Sequence, residues 1–154
     1  MKIVVRHMTP SDLDQVMEIA LSEKSAPRWT REMYAAASDP HSVPKRVALV
    51  AEAPEPGGAL AGFGVASVIA PEAELETIVT AQAFQRRGVA SQLFAHLARE
   101  LRQLGALDVL LEVRESNRAG RALHESLGFV ESGRRKAYYA DPIEDAIHMH
   151  LRLR

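Results

Sequence analysis

A glycine-containing turn between an apolar strand and a long amphipathic helix constrains this chain more than any other feature of its sequence. The turn, residues 84–91 (Phe-Gln-Arg-Arg-Gly-Val-Ala-Ser), follows an apolar run at residues 75–80 and opens a helical pattern that ends at residue 104. Small residues let the backbone approach a ligand, and unpaired amides at a helix N-terminus form a concave site for anions. Because Arg86 and Arg87 add positive charge beside those amides, the turn predicts a pyrophosphate-binding site.

Two familiar nucleotide-binding motifs do not fit this turn. Neither Gly-Lys-Ser nor Gly-Lys-Thr follows Gly88, which excludes a Walker phosphate-binding loop. Gly88 also lacks glycine partners at the spacing of a dinucleotide-binding fold. The turn must therefore be interpreted through the segments that surround it.

The composition is that of a globular protein, with 47% hydrophobic and 25% charged residues. A length of 154 residues suits one domain, so we expect a single domain over residues 1–154. The formal net charge of −1 creates no field that would attract nucleic acid or an anionic membrane, and we expect neither partner. The absence of cysteine excludes disulfides, thiolate metal sites and cysteine nucleophiles. Residues 1–6 do not resemble a signal peptide, and we expect a soluble cytoplasmic protein.

Hydrophobic periodicity predicts the order β-α-α-β-β-β-α-β-α-β-β, a mixed α/β fold in which helices cover a central sheet. Helix starts are indicated at Thr9, Thr30, Arg87 and Asn117. Residues 107–113 form an apolar run typical of a strand that is buried on both faces. The crossovers at residues 80–107 and 113–129 are long enough to join parallel neighbouring strands. The third predicted helix carries an apolar stripe at Val89, Leu93, Leu97, Leu101 and Leu104.

Several segments together resemble a known family. They are Gln85-x-x-Gly88-x-Ala90, residues 111–117 (Leu-Glu-Val-Arg-Glu-Ser-Asn), residues 122–129 (Ala-Leu-His-Glu-Ser-Leu-Gly-Phe), and residues 138–142 and 144–146. This set resembles the GCN5-related N-acetyltransferase (GNAT) superfamily and, within it, the RimI-like ribosomal-protein-alanine N-acetyltransferase branch. The resemblance covers residues 75–154, and the first half of the chain is similar only in pattern.

The resemblance implies a GNAT fold, with a central mixed sheet of about seven strands flanked by about four helices, and an enzyme that uses acetyl-CoA as co-substrate without a metal. The leading acceptor is the N-terminal α-amine of a protein such as a ribosomal protein, and we expect a monomer or homodimer. A transferase acting on a small amine, such as a polyamine or an aminoglycoside, and a non-catalytic acyl-CoA-binding module remain alternatives. Acceptor choice is expected to depend on residues 27–39 and 138–145. By resemblance, the residues that contact acetyl-CoA are Ile78, Val79, Thr80, Arg86, Arg87, Gly88, Val89, Ala90, Ser91, Asn117 and Ser126.

Glu112 corresponds by resemblance to the general base of the family. An N-terminal amine has a pKa near 8 and must lose a proton before it attacks a thioester. A glutamate within an apolar strand needs a partner or a task, so an ion pair with Arg114 or another cation is the alternative interpretation. Glu74 and Glu76, which share one face of their strand, are alternative bases.

His124 stands where the RimI-like enzymes carry a tyrosine that acts as general acid for the leaving thiolate. Histidine can also donate a proton, so we expect His124 to take this role, with Tyr138 or Tyr139, or no dedicated acid, as alternatives. A further pair, His148 and His150, shares a face of the last strand. We expect these two side chains to be exposed on an edge-like strand rather than to bind a metal.

Overall fold

The computed structural model describes residues 2–24, 26–54 and 57–154, and within them it contains seven strands and four α-helices in the predicted order. The expected fold class is therefore confirmed. The strands are β1 (Val4–His7), β2 (Lys45–Ala53), β3 (Ala59–Ile69), β4 (Glu72–Thr80), β5 (Asp108–Arg114), β6 (Val130–Ala140) and β7 (Ile143–Arg152). The helices are α1 (Leu13–Ser22), α2 (Arg31–Ala37), α3 (Val89–Gln103) and α4 (Arg118–Ser126).

The strands form one sheet in the order β1-β2-β3-β4-β5-β7-β6. Strands β4 and β5 are parallel neighbours, as the first crossover predicts, and the other adjacent pairs are antiparallel. The expectation that the second crossover joins parallel neighbours is wrong. Because β7 pairs antiparallel with both β5 and β6, it separates those two strands.

Strands β4 and β5 pair over only part of their length. Their pairing ends at Glu74 and Leu110, although β4 continues to Thr80 and β5 to Arg114. A bulge at Glu76 interrupts the pairing of β4 with β3, and bulges bend a strand and increase its twist. The two strands diverge beyond the bulge and leave a wedge between them, called here the β4–β5 gap.

Helix α3 covers one face of the sheet with the predicted apolar stripe. Leu93, Leu97 and Leu101 are fully buried in the same core as β5 and β7, whereas Leu104 is 39% exposed. The stripe prediction is wrong at Leu104 because the helix has already ended there. Helices α1 and α2 cover the opposite face, where they pack against β2, β3 and β4.

Strand β5 is buried on one face only. Val109, Leu111 and Val113 face the α3 core, whereas Glu112 on the other face is exposed. The prediction of burial on both faces is wrong because α1 and α2 cover β2 to β4 and do not extend over β5. A polar side chain on this open face can therefore meet both solvent and a ligand.

Three of the predicted helix starts are confirmed by their side-chain contacts, whereas the start predicted at Arg87 is two residues early because α3 begins at Val89 with Gly88 as its N-cap. Thr9 and Asp12 form a capping box at a short 3₁₀ turn that leads into α1. The Thr30 hydroxyl accepts from the Met33 amide at 3.2 Å, and the Asn117 side chain accepts from the Gly120 amide at 2.9 Å.

No helix in the described ranges has the length and apolar character that a bilayer span requires.

Candidate active site

The turn before α3 has a backbone shape suited to holding an anion. Gly88 is the N-cap of α3 and has a φ of +78°, in the left-handed region that favours glycine, and Arg86 has a φ of +63°. In the described part of the chain, no side chain caps this helix end. A Cβ added at Gly88 would have no heavy atom within 4 Å, so the space above the turn is open.

Residues 78–80 form the end of β4 that borders the β4–β5 gap. Their other edge pairs with β3, where Gly62 lies opposite Thr80. A Cβ on Gly62 would lie 2.5 Å from the carbonyl oxygen of Val79, so glycine is required for this close approach. Gly62 is not among the residues predicted from the sequence, although a glycine within an apolar strand is a signal of close backbone approach.

Asn117 and Ser126 lie at the two ends of α4 and bond to its backbone. Asn117 accepts from the Gly120 amide, and a Cβ on Gly120 would lie 2.5 Å from Asn117 Nδ2, so the packing around this cap is tight. The Ser126 hydroxyl donates to the carbonyl of Leu123. These contacts explain both residues as parts of the helix ends, and their role in binding acetyl-CoA stays a prediction.

Glu112 lies on the open face of β5, directly opposite His148 on β7. Glu112 Oε1 is 3.2 Å from His148 Nε2, and the two side chains are 37% and 35% exposed. Arg114, the ion-pair partner considered from the sequence, instead contacts Glu144 at 2.9 Å. The neighbour of Glu112 is therefore the imidazole of His148, which is a cation only when it is protonated. The carboxylate of Glu112 remains accessible.

The two alternative bases differ in their surroundings. Glu76 accepts two hydrogen bonds from Arg46, at 2.8 and 3.0 Å, and is held in a closed ion pair. Burial raises the pKa of Glu74, and the negative charges of Glu76 and Glu112 raise it further. The carboxyl group of Glu74 therefore interacts electrostatically with that of Glu112, whereas Glu76 is held in an ion pair with Arg46.

His124 is largely buried in the α3 core. Its ring packs edge-on against Phe129 with the centroids 6.0 Å apart, and Phe129 in turn contacts Phe94 of α3. Burial lowers the pKa of His124 to about 4, so the imidazole is neutral near pH 7. Its Nδ1 atom is buried without a hydrogen-bond partner in the described residues. Because Glu112 lies on the opposite face of the sheet, the structure does not bring these two predicted residues into contact.

The two tyrosines considered as alternative acids lie on β6. Their rings pack against each other with centroids 5.1 Å apart, and the guanidinium of Arg114 stacks 4.1 Å from the Tyr139 ring. Burial raises the pKa of Tyr139, and the charge of Glu112 raises it further. Tyr139 therefore remains protonated at neutral pH in the electrostatic field of Glu112.

The expectations for His148 and His150 are wrong in two respects. Strand β7 lies between β5 and β6 rather than at an edge, and both side chains are about one-third exposed rather than open to solvent. His150 Nε2 lies 2.7 Å from Asp108 Oδ1, so each histidine faces a carboxylate of β5. Across the described ranges, no group of three or more potential ligands is arranged to hold a metal ion.

The chain belongs to the acetyltransferase (GNAT) family, whose model matches residues 13–129. The resemblance to the RimI-like enzymes is confirmed by the relatives of this chain. The [ribosomal protein bS18]-alanine N-acetyltransferase of Salmonella typhimurium is 46% identical over 94 residues, which are 60% of this chain and 64% of that protein. The chain thus matches less than two thirds of the length of that relative.

Two further relatives match over nearly the whole chain. The crystal structure of the ribosomal-protein-S18-alanine N-acetyltransferase from Escherichia coli has a TM-score of 0.81 at 31% identity, and the match covers 99% of this chain and 94% of that one. A putative [ribosomal protein bS18]-alanine N-acetyltransferase of Bacillus subtilis is 28% identical over 148 residues, which are 96% of this chain and 94% of that protein.

Proposed function

We propose that this protein is an acetyl-CoA-dependent N-acetyltransferase that acts on the N-terminal α-amine of a protein such as a ribosomal protein. The observation that carries the proposal is the β4–β5 gap, which has the uncapped start of α3 near the end of β4 and the accessible carboxylate of Glu112 on β5. The names of the relatives support the same acceptor. The lack of cysteine suits the reducing cytoplasm, where we place a monomer or homodimer.

The turn and the free edge of β4 fit the phosphate and pantetheine parts of acetyl-CoA. Residues 86–91 would hold the pyrophosphate through the amides at the start of α3 and the positive charge of Arg86 and Arg87. Residues 78–80 would offer backbone groups to the amides of the pantetheine arm. Asn117 and Ser126 would lie near the thioester end, in addition to their places in α4.

Glu112 would act as general base for the acceptor. Its carboxylate removes one proton from the ammonium group, and the neutral amine then forms a bond to the thioester carbonyl carbon. As the carbon–sulfur bond breaks, the nitrogen loses its second proton and the departing thiolate gains one to become the free thiol of CoA. Acetyl-CoA supplies the activated acetyl group. The position of Glu112 on an open sheet face gives a protein N-terminus a route to the gap.

The leaving thiolate has two candidate proton donors in this proposal. A free thiol has a pKa of about 8.5, so the thiolate needs only modest assistance. Because burial keeps His124 neutral, it would act as a hydrogen-bond donor through its remaining N–H rather than as an imidazolium. Tyr139, protonated and in the field of Glu112, is the alternative donor.

Incubation with acetyl-CoA and a panel of N-terminal peptides and small amines, followed by mass spectrometry, tests this function. We expect acetylation of peptides at the α-nitrogen. Acetylation restricted to polyamines or aminoglycosides would instead establish a small-molecule transferase. Tight binding of acetyl-CoA in calorimetry without any acetylated product would indicate a non-catalytic acyl-CoA-binding module.

A further inference from the structure

We propose that His148 is a positioning residue for Glu112, and that its protonation withdraws the base at low pH. This inference rests on the proposed function. The two residues form a directly opposed pair across β5 and β7, with 3.2 Å between Glu112 Oε1 and His148 Nε2. At this level β7 is paired with both β5 and β6, whereas β5 is paired with β7 alone because its pairing with β4 ends at Leu110. The separation of the two side chains is therefore set by the fold.

The Nε2 atom of His148 is in an unusual state. It is buried, yet it has no aligned hydrogen-bond partner in the described residues, although the Glu112 carboxylate is within ion-pair distance. A buried polar atom without a hydrogen-bond partner is destabilising, so its position calls for a physical explanation. A small rotation of either side chain would align an Nε2–H with the carboxylate. We infer that this bond forms when an acceptor amine orders Glu112.

Strand β6 encloses the imidazole from the other side. Gly133 is paired with His148, and a Cβ added there would lie 3.9 Å from His148 Nδ1. Ser132 donates from its hydroxyl to the His148 carbonyl at 3.3 Å. A glycine therefore faces the histidine on β6, so no side chain from position 133 packs against Nδ1.

Strand alternation places several other ionisable groups on this face of the sheet. They are Asp108 and Arg114 on β5, Arg135 and Tyr139 on β6, Glu144, His150 and Arg152 on β7, and Glu72 and Glu74 on β4 beyond β5. Arg114 is paired with Glu144, and His150 is paired with Asp108. Glu112 is the carboxylate within ion-pair distance of His148 in the described residues.

A neutral and a protonated imidazole would affect Glu112 differently. The neutral ring can donate from Nε2 and orient the carboxylate toward the acceptor amine without neutralising it. A protonated ring pairs with the carboxylate, stabilises its charged form and makes it a weaker base. The wild-type rate should therefore carry an acidic limb that a side chain unable to titrate at position 148 would remove.

Three variants separate this role from plain structural support. His148→Gln keeps an N–H donor but cannot titrate, so we expect its kcat at about pH 8 to stay within a factor of about 3 of the wild-type value. Its acidic limb should contain only the titration of the acceptor amine. His148→Leu removes the donor, so kcat should fall about 10-fold with an unchanged KM for acetyl-CoA. His150→Gln disrupts the neighbouring pair with Asp108 and should behave as wild type.

The measurement is kcat from about pH 5.5 to 9 for all four proteins, with one peptide acceptor at saturating concentration. Because the acceptor amine titrates in every reaction, the ratio of wild-type to His148→Gln rates isolates His148. A ratio that does not vary with pH, or a His148→Leu variant with wild-type kcat, would overturn the proposal. A wild-type protein that acetylates no acceptor would instead refute the proposed function. In that case, a His148 ring that turns away from position 112 in the crystal structure of Glu112→Gln but not in wild type would support the pairing, and an identical ring position in both would overturn it.

Discussion

Replacement of His124 by glutamine should make the protein less sensitive to acid. In the folded state, burial lowers the pKa of His124 from 6.5 to about 4. Between these two values, the unfolded chain binds a proton at His124 that the folded protein does not bind. The free energy of unfolding should therefore have its full value above about pH 6.5 and decrease as the pH falls toward 4.

The size of the effect follows from the pKa difference. The difference between 6.5 and about 4 is about 2.5 units, and each unit corresponds to about 1.4 kcal/mol. The full loss is therefore about 3 kcal/mol, and about 2 kcal/mol is reached by pH 5. Because His124 is not completely buried, these values are upper limits.

Urea unfolding of wild type and His124→Gln at about pH 7.5, 6 and 5 measures this contribution. Carboxylates such as Asp12, whose pKa is lowered by a hydrogen bond from Arg6, also destabilise the fold in acid. They do so in both proteins, so the difference between the two curves reports His124. If the free energies of unfolding of the two proteins differ by the same amount at all three pH values, His124 is not kept neutral by burial in the folded state.

Three other substitutions test the site. Glu112→Gln should reduce kcat by roughly 10²-fold or more because it removes proton acceptance, and an unchanged pH–rate profile would exclude Glu112 as the base. Gly88→Glu should abolish binding of acetyl-CoA in calorimetry, since it places bulk and negative charge in the open turn; retained affinity in a folded variant would mean that the pyrophosphate binds elsewhere. Gly62→Ala should destabilise the fold by about 2–3 kcal/mol and weaken acetyl-CoA binding, because its Cβ would lie 2.5 Å from the Val79 carbonyl oxygen. The control Gly64→Ala should cost less, because its tightest contact is the end of the Leu97 side chain at 3.0 Å and the backbone oxygen nearest to it is 3.6 Å away.

Local sequence signals predicted the elements and their order. The caps at Thr30 and Asn117 are contacts within three residues of one chain segment, so residue type and spacing are sufficient to identify them. The turn at Gly88 was equally visible because a left-handed N-cap favours glycine. The GNAT fold itself followed from the resemblance and not from these local patterns.

Apart from the parallel pairing of β4 and β5, the relations between distant segments were not visible in the sequence. The insertion of β7 between β5 and β6 depends on pairing across the sheet, and it turned the expected edge histidines into partners of β5 carboxylates. The sequence of β5 is apolar enough to suggest burial on both faces, but the reach of α1 and α2 decides which face is covered. The burial of His124 likewise depends on Phe129 and Phe94, which come from different elements.

The most direct test of the proposed function is tandem mass spectrometry of one peptide that carries a free N-terminal alanine and an internal lysine, after incubation with acetyl-CoA. We predict that wild type places a single acetyl group on the α-nitrogen and that Glu112→Gln produces far less of this product at the same acetyl-CoA saturation. Acetylation of the lysine alone, or equal amounts of α-acetylated product from both proteins, would contradict the account.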